Sequence, residues 1–222
     1  DVVTALYGAT LGAPGLLVVS GTGSIAAAMD GNGCCQTTGG LGPMIGGDPG
    51  SAHWIANEVL THASVESCNG IQSTGLTDLI CRYFNIPDFQ KLVPAIYSEV
   101  ESAKRLAGLS QFVATSDLNG QPFWLRILRR AGVRLARLCE PLVARLDSAK
   151  WPGVVHVSGS VLANNTQVRE SFVTELSAKA KRTHAVESPA LSAVEGAALM
   201  ALKKIVPTKV DEVAARLAKR KS

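Results

Sequence analysis

Two short apolar runs, each closed by a turn of small polar residues, most constrain how this chain can fold. Residues 16–19 (LLVV) lead into SGTGS, and residues 154–157 (VVHV) lead into SGS. Short apolar runs bounded by turn residues are typical of buried strands. Stretches with helical periodicity separate the two runs. The sequence therefore predicts an α/β fold in which helices flank a mixed sheet.

Further elements follow from the same kind of pattern. The string DGNG at residues 30–33 indicates a hairpin turn after a return strand over 25–29. Ser51 is placed to cap a helix through residue 60, and Asp1 to cap a helix over 2–11. The remaining periodic stretches predict helices over 76–84, 92–109, 122–146, 166–180, 192–202 and 209–220, and a short strand over 184–186.

Composition excludes several classes of protein. Apolar residues make up 46% of the 222 residues and charged residues 18%, which argues against disorder. Aromatic residues are only 5%, too few to suggest base stacking, so we expect no nucleic-acid partner. No apolar stretch approaches the ~20 residues that span a bilayer, so we expect no membrane partner. The five cysteines show no C-x-x-C spacing, which favours reduced thiols in a cytoplasmic protein and no metal site.

The turn SGTGS is the first candidate binding element. Consecutive backbone N–H groups in a turn of small residues can hold phosphate oxygens, and Thr22 and Ser24 add hydroxyl donors. From these residues alone, a plain hairpin turn is an equal alternative.

A glycine-dense loop, GGLGPMIGGDPG at residues 39–50, is the second candidate. So many glycines are costly in unfolded-chain entropy unless the loop conformation matters. The loop carries one carboxylate, Asp48. That carboxylate either accepts hydrogen bonds from a substrate or helps to cap the following helix.

Two weaker candidates complete the set. Gly159 and Ser160 lie between a predicted strand and a helix, where ligands gather in α/β sheets, although a simple connecting turn also fits. Asp1 could act as a base toward a hydroxyl that attacks phosphate, although an N-cap is the simpler interpretation of an aspartate at a helix start.

Taken in order, these motifs resemble the N-acetylglucosamine kinase branch of the BadF/BadG/BcrA/BcrD ATPase family, within the actin-like ATPase and sugar kinase superfamily. The resemblance rests on LLVVSGTGSIAAAMDGNG, GGLGPMIGGDPGSAHWIANEVL, VVHVSGSVLANN and ESPALSAVEGAALMAL. It implies an actin-like (ribonuclease H-like) fold, with residues 1–222 as the C-terminal nucleotide- and sugar-binding domain and an N-terminal sister domain missing. Residues 207–222 form a terminal amphipathic helix in this interpretation.

The resemblance also implies a role for individual residues. Asp1 takes the place of the catalytic base. Phosphate binding falls to Gly21, Thr22, Gly23 and Ser24. Sugar binding falls to Thr22, Gly40, Leu41, Gly42 and Asp48, and nucleotide binding to Gly159, Ser160 and Gly196.

The implied activity is ATP- and Mg²⁺-dependent phosphorylation of an amino sugar, most simply N-acetylglucosamine to its 6-phosphate. The partners are then a sugar, a nucleotide and, as the family allows, a second copy in a homodimer. Two alternatives stay open. One is an ATPase that activates a partner enzyme, and the other is a degenerate, non-catalytic sugar-binding domain, since Leu41 and Pro49 depart from the family pattern.

Overall fold

A computed structural model describes residues 1–70, 74–97, 102–146, 150–180 and 183–219 of the chain. The strands are β1 (Gly15–Ser20), β2 (Ser24–Met29), β3 (Cys35–Gly39), β4 (Val154–Ser158) and β5 (Ala185–Glu187). The helices are α1 (Val2–Thr10), α2 (Ala52–Cys68), α3 (Leu76–Phe84), α4 (Leu92–Tyr97), α5 (Ser102–Ala114), α6 (Pro122–Val143), α7 (Ser160–Asn164), α8 (Thr166–Ala180), α9 (Ala193–Ile205) and α10 (Val210–Lys219).

The five strands form one mixed sheet in the order β3-β2-β1-β4-β5. β1 pairs antiparallel with β2, and β2 antiparallel with β3, which makes a meander. On its other side β1 runs parallel to β4, and β4 runs parallel to β5. The parallel strands are joined through helices, as such crossovers require.

Each face of the sheet is covered by its own group of helices because side chains alternate along the strands. Leu16 and Val18 of β1 point into a large core that takes in residues of α2, α3, α5, α6 and α8. Leu17 points the other way, into a smaller core with Leu6 of α1 and Leu199 of α9, on which Ala214 of α10 also packs. The result is a three-layer α/β/α arrangement, which confirms the predicted fold class.

Most predicted elements are present, but several differ. α2 continues to Cys68 beyond the predicted residue 60, α9 continues to Ile205, and the short helix α7 was not predicted. The stretch 92–109 contains α4 and α5, and α5 continues to Ala114, while residues 98–101 lie outside the described part of the chain. α6 ends at Val143 and not at residue 146. The strand β3 was not predicted, because CQTTG lacks an apolar alternation and becomes a strand only by pairing with β2.

The N-caps show how local sequence sets helix starts. The Ser51 hydroxyl accepts a hydrogen bond from the backbone N–H of Trp54 (3.1 Å), as predicted. Ser192 and Glu195 form a reciprocal capping box at the start of α9. Asp1 occupies the N-cap position of α1, but its side chain makes no capping hydrogen bond.

None of the described helices has both the length and the apolar character that crossing a membrane requires.

Candidate active site

The motifs singled out from the sequence meet at one edge of the sheet. β1 and β4 are parallel and Val19 lies opposite Ser158, so both strands end at this edge. A short connection, residues 11–14, joins α1 to β1, and the two pack against each other through Leu6 and Leu17. α1 therefore runs back along β1, with its N-terminus directed toward the same edge.

The turn between β1 and β2 is a tight hairpin. Ser20 pairs with Ser24 at the end of the ladder, and the N–H of Gly21 donates to the carbonyl of Gly23 (3.0 Å). Thr22 stands exposed at the tip. The turn thus leaves a hydroxyl and backbone groups accessible at the end of the central strands.

The glycine-dense loop docks directly onto this turn. The buried hydroxyl of Ser20 donates to the carbonyl of Gly50 and that of Ser24 to the carbonyl of Pro49, both at 2.9 Å. From the other side, the N–H of Ala52 donates to the carbonyl of Gly21 (2.8 Å). These bonds hold the loop that carries Asp48 against the turn that carries Thr22.

Asp48 occupies a position that is unfavourable without a ligand. Its φ of +40° is left-handed, which non-glycine residues rarely adopt. The residue is only 6% exposed, and its Oδ1 has no hydrogen-bond partner among the described residues. The cap of α2 is supplied by Ser51, so the capping interpretation does not account for the Asp48 carboxylate. A buried acceptor without a partner at a strained residue is typical of a functional group.

His53 follows Asp48 by five positions in the chain, and the charge of the Asp48 carboxylate influences its imidazole. Its backbone N–H donates to the carbonyl of Thr22 (3.3 Å), and its Nδ1 lies 3.2 Å from the amide nitrogen of Asn57, so Nδ1 acts as the acceptor. Burial lowers the pKa of His53 below its ordinary 6.5, while the negative charge of Asp48 opposes that shift. The imidazole of His53 is therefore neutral at neutral pH.

Gly159 brings the end of β4 into contact with the same turn. Its φ is +90°, and a Cβ atom there would overlap the carbonyl of Ser20 and lie 2.9 Å from the nitrogen of Gly21. Only glycine permits both the conformation and the close approach. Ser160 then begins α7.

A cleft of about 470 Å³ opens beside these turns. Thr22 and Ser160 line one side, and α5 and α6 supply the other walls, among them Lys104, Gln111, Trp124 and Leu128. Its size is in the range of small-molecule sites. Thr22, predicted to bind phosphate, and Ser160, predicted to bind nucleotide, thus share one cavity.

The other predicted sugar-binding residues lie on the glycine-dense loop. Gly40 and Gly42 have left-handed φ values of +70° and +81°, and the N–H of Gly40 donates to the carbonyl of Ser24 (3.0 Å). Leu41 is 63% exposed, and its neighbours Met44 and Ile45 are 97% and 81% exposed. The loop therefore presents an apolar tip to solvent near the edge that holds Asp48.

Two predicted site residues have packing partners of their own. The Ser24 hydroxyl is buried and directed to Pro49, so it ties the loop to the turn. Gly196 lies where α9 crosses α1, and a Cβ atom there would overlap the carbonyl of Thr4 and lie 2.6 Å from the nitrogen of Gly8. Asp1 is exposed at the N-terminus of α1.

Sequence reasoning missed the α5 and α6 walls of the cleft. Lys104, Gln111 and Trp124 are distant in sequence from the glycine-containing turns, and nothing in their local pattern distinguishes them from ordinary helix residues. Apolar periodicity along α6 placed it in the core but could not show which residues border a cavity.

Comparison with known proteins agrees with this geometry. The N-acetylmuramic acid/N-acetylglucosamine kinase of Clostridium acetobutylicum is 27% identical over 172 residues, which are 78% of this chain and 56% of the relative. A solved structure from Chromobacterium violaceum, described as a candidate N-acetylglucosamine kinase, superposes with a TM-score of 0.69 at 21% identity over 89% of this chain and 62% of that one. A similar candidate kinase from Porphyromonas gingivalis gives 0.62 at 19% identity, over 87% and 62%.

The chain therefore spans little more than half the length of the relatives it matches. A family model described as the BadF/BadG/BcrA/BcrD ATPase family matches residues 1–201, which include every candidate site residue discussed above. The chain belongs to the BadF/BadG/BcrA/BcrD ATPase family.

Proposed function

We propose that this chain supplies the nucleotide- and sugar-binding domain of a kinase that transfers the γ-phosphate of ATP to an amino sugar. The favoured substrate is N-acetylglucosamine and the favoured product its 6-phosphate. Support comes from the family, from the activity for which the Clostridium acetobutylicum relative is named, and from the meeting of the four motifs at one edge of the sheet. Since the chain spans only part of those relatives, the activity is proposed for the whole protein.

The observation that carries the proposal is the state of Asp48. Its carboxylate is buried, one oxygen has no partner in the part of the chain that the structure describes, and the backbone is left-handed. Leaving a buried charged acceptor unsatisfied costs on the order of 1–3 kcal/mol or more. Sugar hydroxyls are neutral donors of the right size to satisfy it. We infer that Asp48 binds a sugar hydroxyl.

The nucleotide is proposed to occupy the cleft. Backbone groups of Gly21 and Gly23 and the hydroxyl of Thr22 would contact its phosphates, as a turn of small residues permits. Gly159 and Ser160, where α7 begins, would contact the adenosine part. Both groups line or border the same cavity, so one ATP molecule can reach from one to the other.

Asp1 is the proposed base. Its residue is exposed and its side chain makes no capping bond, so the carboxylate is available to accept a proton. It would accept the proton of the sugar 6-hydroxyl as that oxygen bonds to the γ-phosphorus and the bond from phosphorus to the departing ADP oxygen breaks. The proton stays on Asp1 until it exchanges with solvent.

Mg²⁺ is proposed to arrive on the phosphates of ATP. The described residues contain no group of three histidine, cysteine or acidic side chains that could hold a metal by themselves. The hydroxyl of Thr22 would provide an oxygen ligand of the kind that Mg²⁺ prefers, which fits a metal held mainly by phosphate with few protein ligands. When bound, the metal would offset phosphate charge.

The positions of Cys34 and Cys35 argue against the alternative function, an ATPase that activates a partner enzyme. Cys34 and Cys35 lie at the β2–β3 turn, at the edge of the sheet opposite to Thr22. Activating ATPases of this family hold an iron–sulfur cluster through cysteines. A cluster held at Cys34 and Cys35 would be separated from the nucleotide cleft by the length of a strand, roughly 20 Å for six residues.

ADP release by the full-length protein tests the proposal. It should be followed with N-acetylglucosamine, with glucosamine and without sugar, at saturating Mg-ATP. A sugar kinase releases ADP in proportion to sugar turned over. Equal ADP release in all three reactions would favour the activating ATPase and reject the kinase, and no release in any of them would favour the non-catalytic domain.

A further inference from the structure

One wall of the cleft carries a single positive charge. Among the described residues that line the cleft, Lys104 of α5 is the only one with a charged side chain. It is exposed and makes no ion pair with another described residue. Within the described part of the chain, no carboxylate therefore neutralises its ammonium group.

Lys104 lies on the side of α5 that borders the cleft. Lys104, Ala107, Gly108 and Gln111 all line the cavity, and their spacing places them on one side of a helix. Opposite them lie Thr22 and Ser160, the residues proposed to contact phosphate and adenosine.

The backbone beside Lys104 is fixed by neighbouring contacts. The hydroxyl of Tyr83 donates to the carbonyl of Arg105 (2.6 Å), and the guanidinium of Arg105 donates to the carbonyl of Phe84 (3.1 Å). At Gly108, a Cβ atom would overlap the Tyr83 hydroxyl, so the missing side chain leaves room for Tyr83 of α3 against α5. The exposed side chain of Lys104 is thus carried by a backbone that neighbouring residues hold in place.

We propose that Lys104 binds the phosphate groups of the nucleotide in this cleft and makes the cleft select nucleotides over nucleosides. The proposal rests on the proposed function, which places ATP there. An ammonium group offers three donors and a full charge to a polyanion. The other described residues that line the cleft are uncharged, so none of them opposes the field that Lys104 exerts on the ligand.

Calorimetric titration of ATP, ADP and adenosine into the full-length protein tests this assignment. For Lys104→Gln we expect Kd for ATP and ADP to rise roughly five- to tenfold, as for loss of a partly exposed charged contact, while Kd for adenosine stays unchanged. Lys104→Arg should retain most of the affinity. The difference between wild type and Lys104→Gln should shrink at high salt because the interaction is ionic.

Lys91→Gln is the matched control, since Lys91 is an equally exposed lysine that does not line the cleft. Its nucleotide affinities should equal those of the wild type. The proposal is overturned if Lys104→Gln leaves Kd for ATP unchanged, or if it weakens adenosine as much as ATP. A wild type that binds none of the three ligands would contradict the proposed function and this assignment with it.

Discussion

The Cα atom of Gly23 lies directly against the carboxylate of Asp48. A Cβ atom added to Gly23 would come within 2.6 Å of Oδ2 of Asp48, well inside van der Waals contact. Gly23 has an ordinary φ, so its lack of a side chain serves this close approach and not a left-handed turn. The turn proposed to bind phosphate and the loop proposed to bind sugar are therefore coupled through one glycine and one carboxylate.

Gly23→Ala is expected to displace the Asp48 carboxylate and to weaken sugar binding. The added methyl group cannot fit without moving Oδ2, and binding geometry is sensitive to shifts of about 1 Å. Titration of N-acetylglucosamine into the full-length variant measures the effect, for which we expect a loss of tenfold or more, on the order of one charged hydrogen bond.

Gly21→Ala is the control for this variant. A Cβ atom on Gly21 meets no atom within 4 Å, so the substitution should leave stability and sugar affinity near wild type. Sugar affinity that falls equally in both variants, or in neither, would show that contact with Asp48 is not the cause.

Asp1→Asn is expected to abolish phosphate transfer while sugar affinity is largely kept. The amide retains the size of the carboxylate but cannot accept the proton, and a general base contributes ~10²–10⁴-fold to turnover. Steady-state kinetics with a direct measurement of sugar Kd separates the two effects. Unchanged kcat would remove Asp1 from its proposed role.

Gly196→Ala is expected to destabilise the fold without any ligand. The new methyl group would meet backbone atoms of Thr4 and Gly8 on α1, and neither can move without separating the two helices. Overpacking of this kind costs about 1–3 kcal/mol. Urea unfolding of the variant should therefore show a lower midpoint, and a midpoint equal to that of Gly21→Ala would contradict the tight helix crossing.

His53 is expected to make stability fall as the pH drops below about 6.5. Burial lowers the pKa of His53 in the folded protein, so below its ordinary value of 6.5 the unfolded chain binds a proton that the folded chain does not. The unfolded state is then favoured, whereas above that pH both states are neutral at this residue. Asp48 opposes the shift, and Asn57 bonds to Nδ1.

Urea unfolding of wild type and His53→Gln at about pH 7.5 and about pH 5.5 measures this contribution. The wild type should lose more stability between the two pH values than the variant. Equal losses would show that His53 is not the residue responsible.

Local chemistry made much of this architecture predictable. The turn at Thr22, the hairpin at residues 30–33 and the Ser51 cap each depend on a few adjacent residues, and each is present in the structure. At the hairpin, the Asp30 carboxylate accepts from the N–H groups of Asn32 and Cys34, a contact that its sequence alone favours.

Contacts between distant segments could not be predicted in the same way. The hydroxyl of Ser24 is a candidate phosphate ligand by sequence, but in the structure it donates its hydrogen bond to the carbonyl of Pro49. The family resemblance places Gly196 beside the nucleotide, whereas its packing partner Gly8 is far away in the chain. Lys104 borders the cleft only because α5 packs on α2 and α3, which no local pattern encodes.

Identification of the product tests the central claim most directly. The full-length protein should be incubated with Mg-ATP and N-acetylglucosamine, and the products followed by phosphorus NMR. The account predicts a phosphate ester on the sugar 6-hydroxyl that accumulates together with ADP. Inorganic phosphate in place of a sugar ester would contradict it.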